Sequence, residues 1–105
     1  LMYAEALVRQ NRAAEAAQLA DLQKIRTRAG LPVYSAADLT LDELLDERGR
    51  ELAWEGWRRQ DLIRFGKYND AWWAKPTASA ATKKLFPIPT TVLAANPRLS
   101  QNSGY

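Results

Sequence analysis

The chain has 105 residues and a formal net charge of +3, and it contains neither cysteine nor histidine. The length suits one compact domain, and 47% hydrophobic with 26% charged residues is typical of a folded chain. The missing residue types exclude disulfides, thiolate nucleophiles, imidazole bases and zinc sites built from them. Basic residues alternate with acidic ones, which predicts no nucleic-acid interface. No apolar stretch is long enough to predict a membrane-spanning helix.

Two helical patterns occupy residues 1–30. The first spans 1–10, and Asn11 is the predicted N-cap of a second helix over about 13–29, whose apolar residues recur every three or four positions. Gly30 suits the residue after the end of that helix, because it tolerates left-handed backbone. These patterns predict a helical hairpin of the tetratricopeptide type, of which the chain holds one unit at most.

A second helical region follows a predicted linker over residues 31–39. Thr40 and Glu43 are predicted to form a capping box, in which the hydroxyl accepts the Glu43 amide and the carboxylate returns to the Thr40 amide. The apolar stripe that follows predicts one helix over 41–54, and a shorter helix is predicted over 58–64.

The pattern fragments from residue 67 onward, where small residues and prolines interrupt it. One helical turn is predicted over 69–74, a surface loop over 75–82 and a further turn over 92–95. Between them, Phe86 and Ile88 are expected to anchor an extended, proline-rich strap at 85–89. The predicted fold is mainly α, in a single domain over 1–105: a tetratricopeptide-like helical hairpin (1–30), two further helices (40–66), then a loop and an extended Pro-rich C-terminal tail (67–105).

Charged residues are densest over 47–66, where they recur at helical pairing distances. Spacings of three and four residues predict ion pairs, for example between Arg50 and either Glu47 or Asp46. Arg48 shares the apolar stripe of its helix, so some of these charges are predicted to be buried. Trp54 and Trp57 are expected in the core. The residues assigned to structural ion pairs are Glu47, Arg48, Arg50, Glu51, Glu55, Arg58, Arg59, Asp61 and Arg64.

The same carboxylates raise the question of a glycosidase acid and nucleophile. Such a pair must face each other across a cleft, whereas Glu51 and Glu55 lie one turn apart on one predicted helix. Neighbouring arginines keep both ionised, which is the opposite of what a general acid requires. No catalytic residue and no metal ligand is therefore assigned.

The run from Glu47 to Gly66 reads Glu-Arg-x-x-Glu-Leu-x-x-Glu-Gly-x-Arg-x-x-Asp-Leu-Ile-Arg-x-Gly. It resembles the C-terminal signature of the SusD/RagB family, and segments 1–7, 25–31 and 85–105 resemble the hairpin and tail of the same family. Gly49 departs from the family pattern, which carries a larger residue there, and a glycine weakens a helix by up to about 1 kcal/mol relative to alanine.

The resemblance implies a surface-exposed lipoprotein of the outer membrane in Bacteroidota-type bacteria, with a role in nutrient uptake and polysaccharide utilisation. Members bind glycans or oligosaccharides, in some cases peptides, together with a SusC-type TonB-dependent transporter. They are not enzymes and need no cofactor. The resemblance also implies that membrane association depends on an N-terminal lipid anchor outside this chain.

Aromatic and polar residues suited to a sugar cluster after the signature. Tryptophan rings can cover the CH face of a sugar, while amide and carboxylate groups bind its hydroxyls. The candidate ligand-binding residues are Tyr68, Asn69, Asp70, Trp72 and Trp73. Packing of both tryptophans over hydrophobic surface is the competing interpretation. For the whole protein, the alternative is a tetratricopeptide-like protein–protein interaction module without carbohydrate affinity.

Overall fold

The computed structural model describes residues 1–105 and is mainly helical. One isolated antiparallel bridge is its only β-type pairing. This architecture confirms the predicted mainly α fold. The α-helices are α1 (Met2–Arg9), α2 (Ala13–Ala17), α3 (Ala20–Arg28), α4 (Leu41–Glu51), α5 (Arg58–Arg64) and α6 (Thr90–Ala95), with one 3-10 turn at Ala81–Lys84.

The chain divides into two compact units, Leu1–Asp61 and Leu62–Tyr105. All of its buried residues belong to the first unit. The division falls inside α5, and the expectation of a single domain over 1–105 stays a prediction. None of the helices combines the length and the apolar composition that crossing a bilayer requires.

The hydrophobic core lies in the first unit, where α1 packs against α2 and α4. Full burial of a leucine contributes roughly 1.5–3 kcal/mol, so these contacts hold the helices together. Tyr34 and Leu39 are buried here, which corrects the view of residues 31–39 as a mere linker. The buried apolar residues are Ala4, Leu7, Ala16, Leu22, Tyr34, Leu39, Leu44 and Leu45.

The predicted continuous helix over 13–29 is wrong, because the chain leaves helical geometry between α2 and α3. Leu19 has extended backbone, with φ −69° and ψ 108°. The Gln23 side-chain amide donates to the carbonyls of Ala17 at 2.7 Å and Tyr34 at 3.0 Å. These bonds satisfy carbonyl groups at the break. The apolar spacing continues across it, so the sequence pattern does not reveal the interruption.

The start of α2 differs from the prediction, whereas the end of α3 agrees with it. Asn11 is not an N-cap; its φ of 60° lies in the left-handed region, which asparagine tolerates, and Arg12 caps α2 without a side-chain bond. At the other end, α3 stops at Arg28 and Gly30 adopts φ 69°. That left-handed residue after the helix is the predicted termination.

The start of α4 follows the prediction in part. The Thr40 hydroxyl accepts the Glu43 amide N–H at 3.1 Å. The reciprocal half of the capping box does not form, because the Thr40 amide donates to the Asp38 carbonyl. The Glu43 carboxylate accepts hydrogen bonds from Tyr34 and Arg50 instead.

The tryptophans of the α4–α5 connection are exposed, so the expectation of core burial for Trp54 and Trp57 is wrong for this chain. The helix ends at Glu51, short of its predicted end at Trp54. Trp54 has φ 67°, a conformation that bulky residues rarely adopt. Its relative exposure is 103%, and that of Trp57 is 50%. Because the turn takes Trp54 out of helical register, the spacing that predicted its burial no longer applies.

Gly49 lies where the Arg58 side chain crosses α4. Arg58 Nη1 donates to the Leu45 carbonyl at 2.7 Å, and Nη2 donates to Asp46 at 3.2 Å. A Cβ atom on Gly49 would lie only 2.7 Å from Arg58 Nη1. The glycine therefore makes room for the guanidinium that joins α5 to α4.

Because of this close approach, we expect Gly49→Ala to change the free energy of unfolding in opposite directions in the wild type and in an Arg58→Met variant. Gly49→Ala should destabilise the wild type by about 1 kcal/mol, because losing the Arg58–Leu45 bond (about 1.5–3 kcal/mol) exceeds the helix-propensity gain of about 1 kcal/mol. In an Arg58→Met background the same substitution should stabilise by about that gain. Urea denaturation of the four variants measures both effects. The same sign in both backgrounds would contradict this role of Gly49.

The second unit has less regular structure than the first. The predicted helical turn over 69–74 is wrong, because Trp72 and Lys75 pair in the isolated bridge and Pro76 disfavours helical backbone before it. The 3-10 turn begins inside the predicted loop over 75–82. The predicted final turn is present as part of α6.

The strap at 85–89 is held by polar side chains near the C-terminus. The Gln101 amide bonds both the N–H and the carbonyl of Ile88, at 2.8 and 2.9 Å. The Asn102 amide donates to the Phe86 carbonyl at 2.8 Å. The Phe86 ring is exposed, so its predicted role as an anchor is wrong. Side-chain amides replace the backbone partners that a proline-rich segment cannot recruit through a regular ladder.

Candidate functional site

The predicted ligand residues lie on one closed loop of the second unit, called here the aromatic loop (residues 68–79). Its ends are joined because the Ser79 amide donates to the Asn69 carbonyl at 2.9 Å, and the Asn69 side chain donates back to the Ser79 carbonyl at 3.0 Å. Within the loop, Trp72 and Lys75 exchange two backbone hydrogen bonds of 2.9 Å. These bonds define the backbone that carries the aromatic residues.

Trp72 and Trp73 contact each other edge to face. Their ring centroids are 5.6 Å apart and the ring planes are inclined at 83°, which is a favoured arrangement of aromatic pairs. Trp72 is 55% exposed and Trp73 is 92% exposed. The competing interpretation, packing of both rings over hydrophobic surface, is therefore wrong for Trp73, whereas Trp72 is partly covered. Both rings present area to solvent.

The other predicted ligand residues differ in how accessible they are. The Asn69 amide closes the loop, and its Oδ1 is buried without a hydrogen-bond partner. Tyr68 is partly buried, whereas Asp70 is exposed. The loop therefore offers a ligand the two tryptophan rings and the Asp70 carboxylate. That these residues contact a ligand stays a prediction.

A polar cluster in the first unit joins residues 31–39 to α4 and α3. The Tyr34 hydroxyl lies 2.5 Å from Glu47 Oε2 and 2.8 Å from Glu43 Oε1. The hydroxyl has one proton, so it donates to one carboxylate at a time. Arg50 donates to both carboxylates, to Glu47 at 2.5 Å and to Glu43 at 2.6 Å. Arg26 completes the cluster, with its guanidinium 4.5 Å from the Tyr34 ring centroid and 3.6 Å from Glu47.

Burial and hydrogen bonding shift the pKa values in this cluster. Burial raises the pKa of Tyr34, and its hydrogen bonds to Glu47 and Glu43 raise it further. Burial also acts to raise the pKa of Glu47, but hydrogen bonds from Arg50 and Tyr34 outweigh it and leave the pKa below its usual value. The bond to Glu47 raises the pKa of Arg50. At neutral pH the tyrosine is therefore protonated and the ion pair is charged.

Arg48 and Asp61 form a second buried contact between α4 and α5. The distance between Arg48 Nε and Asp61 Oδ2 is 2.8 Å, and the two side chains are 9% and 5% exposed. Burial of Arg48 agrees with its place on the apolar stripe. Its partner lies on the next helix, which helical spacing does not show.

The remaining predicted ion-pair residues in α4 and α5 are more exposed. Glu51 accepts from Arg28 of α3 at 2.5 Å. Arg58 pairs with Asp46, so the predicted pairing of Asp46 with Arg50 is wrong. The tertiary fold brings a different cation to that carboxylate.

The last three members of the predicted ion-pair set are Glu55, Arg59 and Arg64. Glu55 and Arg64 are exposed and Arg59 is partly buried. The Arg64 guanidinium lies 4.7 Å from the Phe65 ring centroid, which is cation–π distance. No group of three or more acidic side chains is arranged to hold a metal ion.

Sequence reasoning missed Tyr34 and Arg26 and treated Glu43 only as part of a helix cap. Tyr34 is the one aromatic residue between Tyr3 and Trp54. A single aromatic residue in a predicted linker is a signal of burial, and it could have indicated that this segment joins the core. Nothing local predicts that two carboxylates would meet its hydroxyl.

The sequence is similar to that of known proteins. The model of the SusD family matches residues 1–83, which include α1 to α5 and the aromatic loop. The whole chain also aligns with the starch-binding protein SusD of Bacteroides thetaiotaomicron, with 35% identity over 113 residues. That alignment covers 20% of the relative, so the chain spans about one fifth of its length. On the family match, which covers most of its residues, the chain belongs to the SusD family.

Proposed function

We propose that the chain is part of a cell-surface lipoprotein that binds glycans and works with a TonB-dependent outer-membrane transporter. The protein would be attached to the outer membrane by a lipid and would bind its ligand without catalysing a reaction. Membership of the SusD family supports this proposal, as does the starch binding named for the relative.

The observation that carries the proposal is the exposed tryptophan pair of the aromatic loop. A sugar ring has an apolar CH face that an exposed indole can cover, and nearby polar groups orient its hydroxyls. Trp73 is almost fully exposed on a backbone closed by hydrogen bonds. Such a preorganised aromatic surface binds with little ordering of the loop.

The carboxylates of the first unit support a non-catalytic role. Glu43 and Glu47 both accept hydrogen bonds from Arg50, and Asp61 bonds to Arg48 inside the unit. The lowered pKa of Glu47 keeps it ionised, whereas a glycosidase acid must hold a proton. These groups act as structural partners in the proposed role.

A tetratricopeptide-like protein-interaction module is the second candidate. It is favoured by Met2 and Tyr3, which are 74% and 64% exposed at the start of α1. Exposed apolar side chains on a helical hairpin are the usual contacts for a further helix or a protein ligand.

The test compares two exposed tryptophans. Trp73→Ala is expected to weaken glycan binding by about tenfold, or about 1.4 kcal/mol, because it removes the stacking surface. Trp54→Ala removes a tryptophan of similar exposure in the first unit and should leave binding unchanged. Glycan-array screening of the chain selects the ligand, and calorimetry then measures the three affinities.

Two results would contradict the proposal. Equal weakening in both tryptophan variants would mean that the aromatic loop has no particular role. Absence of glycan binding, together with capture of a protein ligand that Met2→Ser or Tyr3→Ser abolishes, would support the protein-interaction module instead. Melting curves of every variant confirm that differences in affinity do not come from unfolding.

A further inference from the structure

Segment 101–105 lies against the strap and the 3-10 turn of the second unit. The Tyr105 hydroxyl donates to the Leu85 carbonyl at 2.8 Å, and the Lys83 ammonium lies 4.9 Å from the centroid of the Tyr105 ring. Two amide side chains of the same segment bond to the strap. Segment 101–105 therefore holds the 3-10 turn and the residues that follow it.

Gly104 is where this segment comes closest to the 3-10 turn. Its φ of 92° lies in the left-handed region that favours glycine. A Cβ atom on Gly104 would lie 2.6 Å from Thr82 Cγ2 and 2.8 Å from Thr82 Cβ. Because Thr82 Cβ is attached directly to the backbone of the turn, a larger residue at position 104 would displace the turn itself.

The same turn is joined to the aromatic loop at Ala80. The Ala80 carbonyl accepts from the Lys83 amide at 3.0 Å, within the turn, and from the Asn69 side chain at 2.5 Å. Asn69 also bonds to Ser79 and so closes the base of the loop. A displacement of the turn therefore reaches the backbone that carries Trp72.

We infer that Gly104 and Tyr105 are positioning residues for the glycan site. They hold the 3-10 turn, which fixes the base of the aromatic loop and with it the arrangement of Trp72 and Trp73. This inference rests on the proposed function and adds to it two residues that do not belong to the loop. Rings that are fixed before binding lose little conformational entropy in the complex, so a looser turn costs affinity without removing a group that contacts the ligand.

Gly104→Ala tests the inference on the intact chain through two readouts. Affinity for maltoheptaose, or for whichever glycan the array selects in its place, should fall by about tenfold, because binding must then order two indole side chains. The exciton couplet of the tryptophan pair in circular dichroism should also weaken, and its loss in Trp73→Ala assigns that signal. A merely structural role of Gly104 would lower the melting temperature and change neither readout.

Three further variants separate the contact from general strain. Gly66→Ala is the matched control, because Gly66 has φ 75° in the same unit and no atom lies within 4 Å of its Cβ position. It should leave both readouts unchanged. Thr82→Gly combined with Gly104→Ala removes the atoms that the added methyl group meets, so this double variant should recover most of the couplet and the affinity. Tyr105→Phe loses only the hydrogen bond to Leu85 and should cause a smaller change in the same direction as Gly104→Ala.

The outcomes distinguish this inference from the proposed function. A wild-type couplet and affinity in Gly104→Ala would overturn the inference, and so would an equal change in Gly66→Ala. If Gly104→Ala unfolds the second unit, the double variant decides: recovery of the couplet supports the inference, and its absence overturns it. A weakened couplet in Gly104→Ala, with no glycan bound by the wild type, would leave the positioning of the tryptophans in place and count against the proposed function alone.

Discussion

Arg48→Met is expected to lower the free energy of unfolding of the first unit by about 3–5 kcal/mol, the usual loss when one partner of a buried ion pair is removed. The Asp61 carboxylate, with a side chain only 5% exposed, would lose its arginine partner while remaining in a poorly hydrated site. At about 4–8 °C per kcal/mol, the melting temperature should fall by at least about 12 °C. Differential scanning calorimetry and urea denaturation measure both quantities.

An exposed pair is the matched control for this substitution. Lys24 and Asp21 form an ion pair at 2.9 Å, with side chains 75% and 94% exposed. Lys24→Met also removes the cation of one pair, but water screens both groups, so the melting temperature should stay within about a degree of wild type. A similarly small shift in Arg48→Met would contradict the structural role of the buried pair. Arg48→Met combined with Asp61→Leu should recover part of the loss, because no buried charge is left behind.

Tyr34→Phe is the second substitution with a large expected effect, a loss of about 1.5–3 kcal/mol at neutral pH. Phenylalanine retains the buried ring but removes the hydroxyl that contacts Glu47 at 2.5 Å and Glu43 at 2.8 Å. The loss is at the upper end for a hydrogen bond because the acceptors are ionised. Tyr3→Phe is the control, since Tyr3 is 64% exposed and its substitution should leave the urea midpoint unchanged.

The loss in Tyr34→Phe should depend on pH through Glu47. The pKa of Glu47 is lower in the folded chain than its ordinary value, so ionised Glu47 stabilises the fold fully above that ordinary value. This stabilisation is lost as the pH falls through the folded pKa. Because the tyrosine hydrogen bond contributes to the lowering, the difference in stability between wild type and variant should shrink as the pH falls from the ordinary pKa of Glu47 through its lower folded pKa. A constant difference from pH 7 to acid pH would contradict the hydrogen bond to an ionised Glu47.

Helix positions were largely predictable because they depend on neighbours close in sequence. The predicted helix over 58–64 coincides with α5, and Thr40 caps α4 at the expected residue. Three- and four-residue spacing, capping hydroxyls and terminal glycines act within one or two turns, so they can be recognised without a structure. The break at Leu19 escaped this reasoning, because the Gln23 amide that supports it also bonds to Tyr34, eleven residues away.

Ion-pair and hydrogen-bond partners on different helices were not predictable, because they are not neighbours in sequence. Arg48 pairs with Asp61, thirteen residues away, and Tyr34 meets Glu47 at the same separation. Helical spacing reports only the neighbours on one helix face, whereas these contacts depend on how α4, α5 and residues 31–39 pack. The exposure of Trp54 likewise follows from a left-handed turn that hydrophobicity does not encode.

In the candidate site, too, some properties were predictable from the sequence and others were decided by the tertiary structure. Residue types by themselves indicated a surface of Tyr68, Asn69, Asp70, Trp72 and Trp73 suited to a sugar, because an indole beside polar groups has that chemistry wherever it is exposed. Only the tertiary structure decided that Asn69 closes the loop and that both tryptophans contact each other in solvent. The sequence by itself determined the helical class, the family signature and the chemistry available to a ligand. Packing decided which side chains are exposed and which residues on different helices become partners, since both depend on residues far apart along the chain.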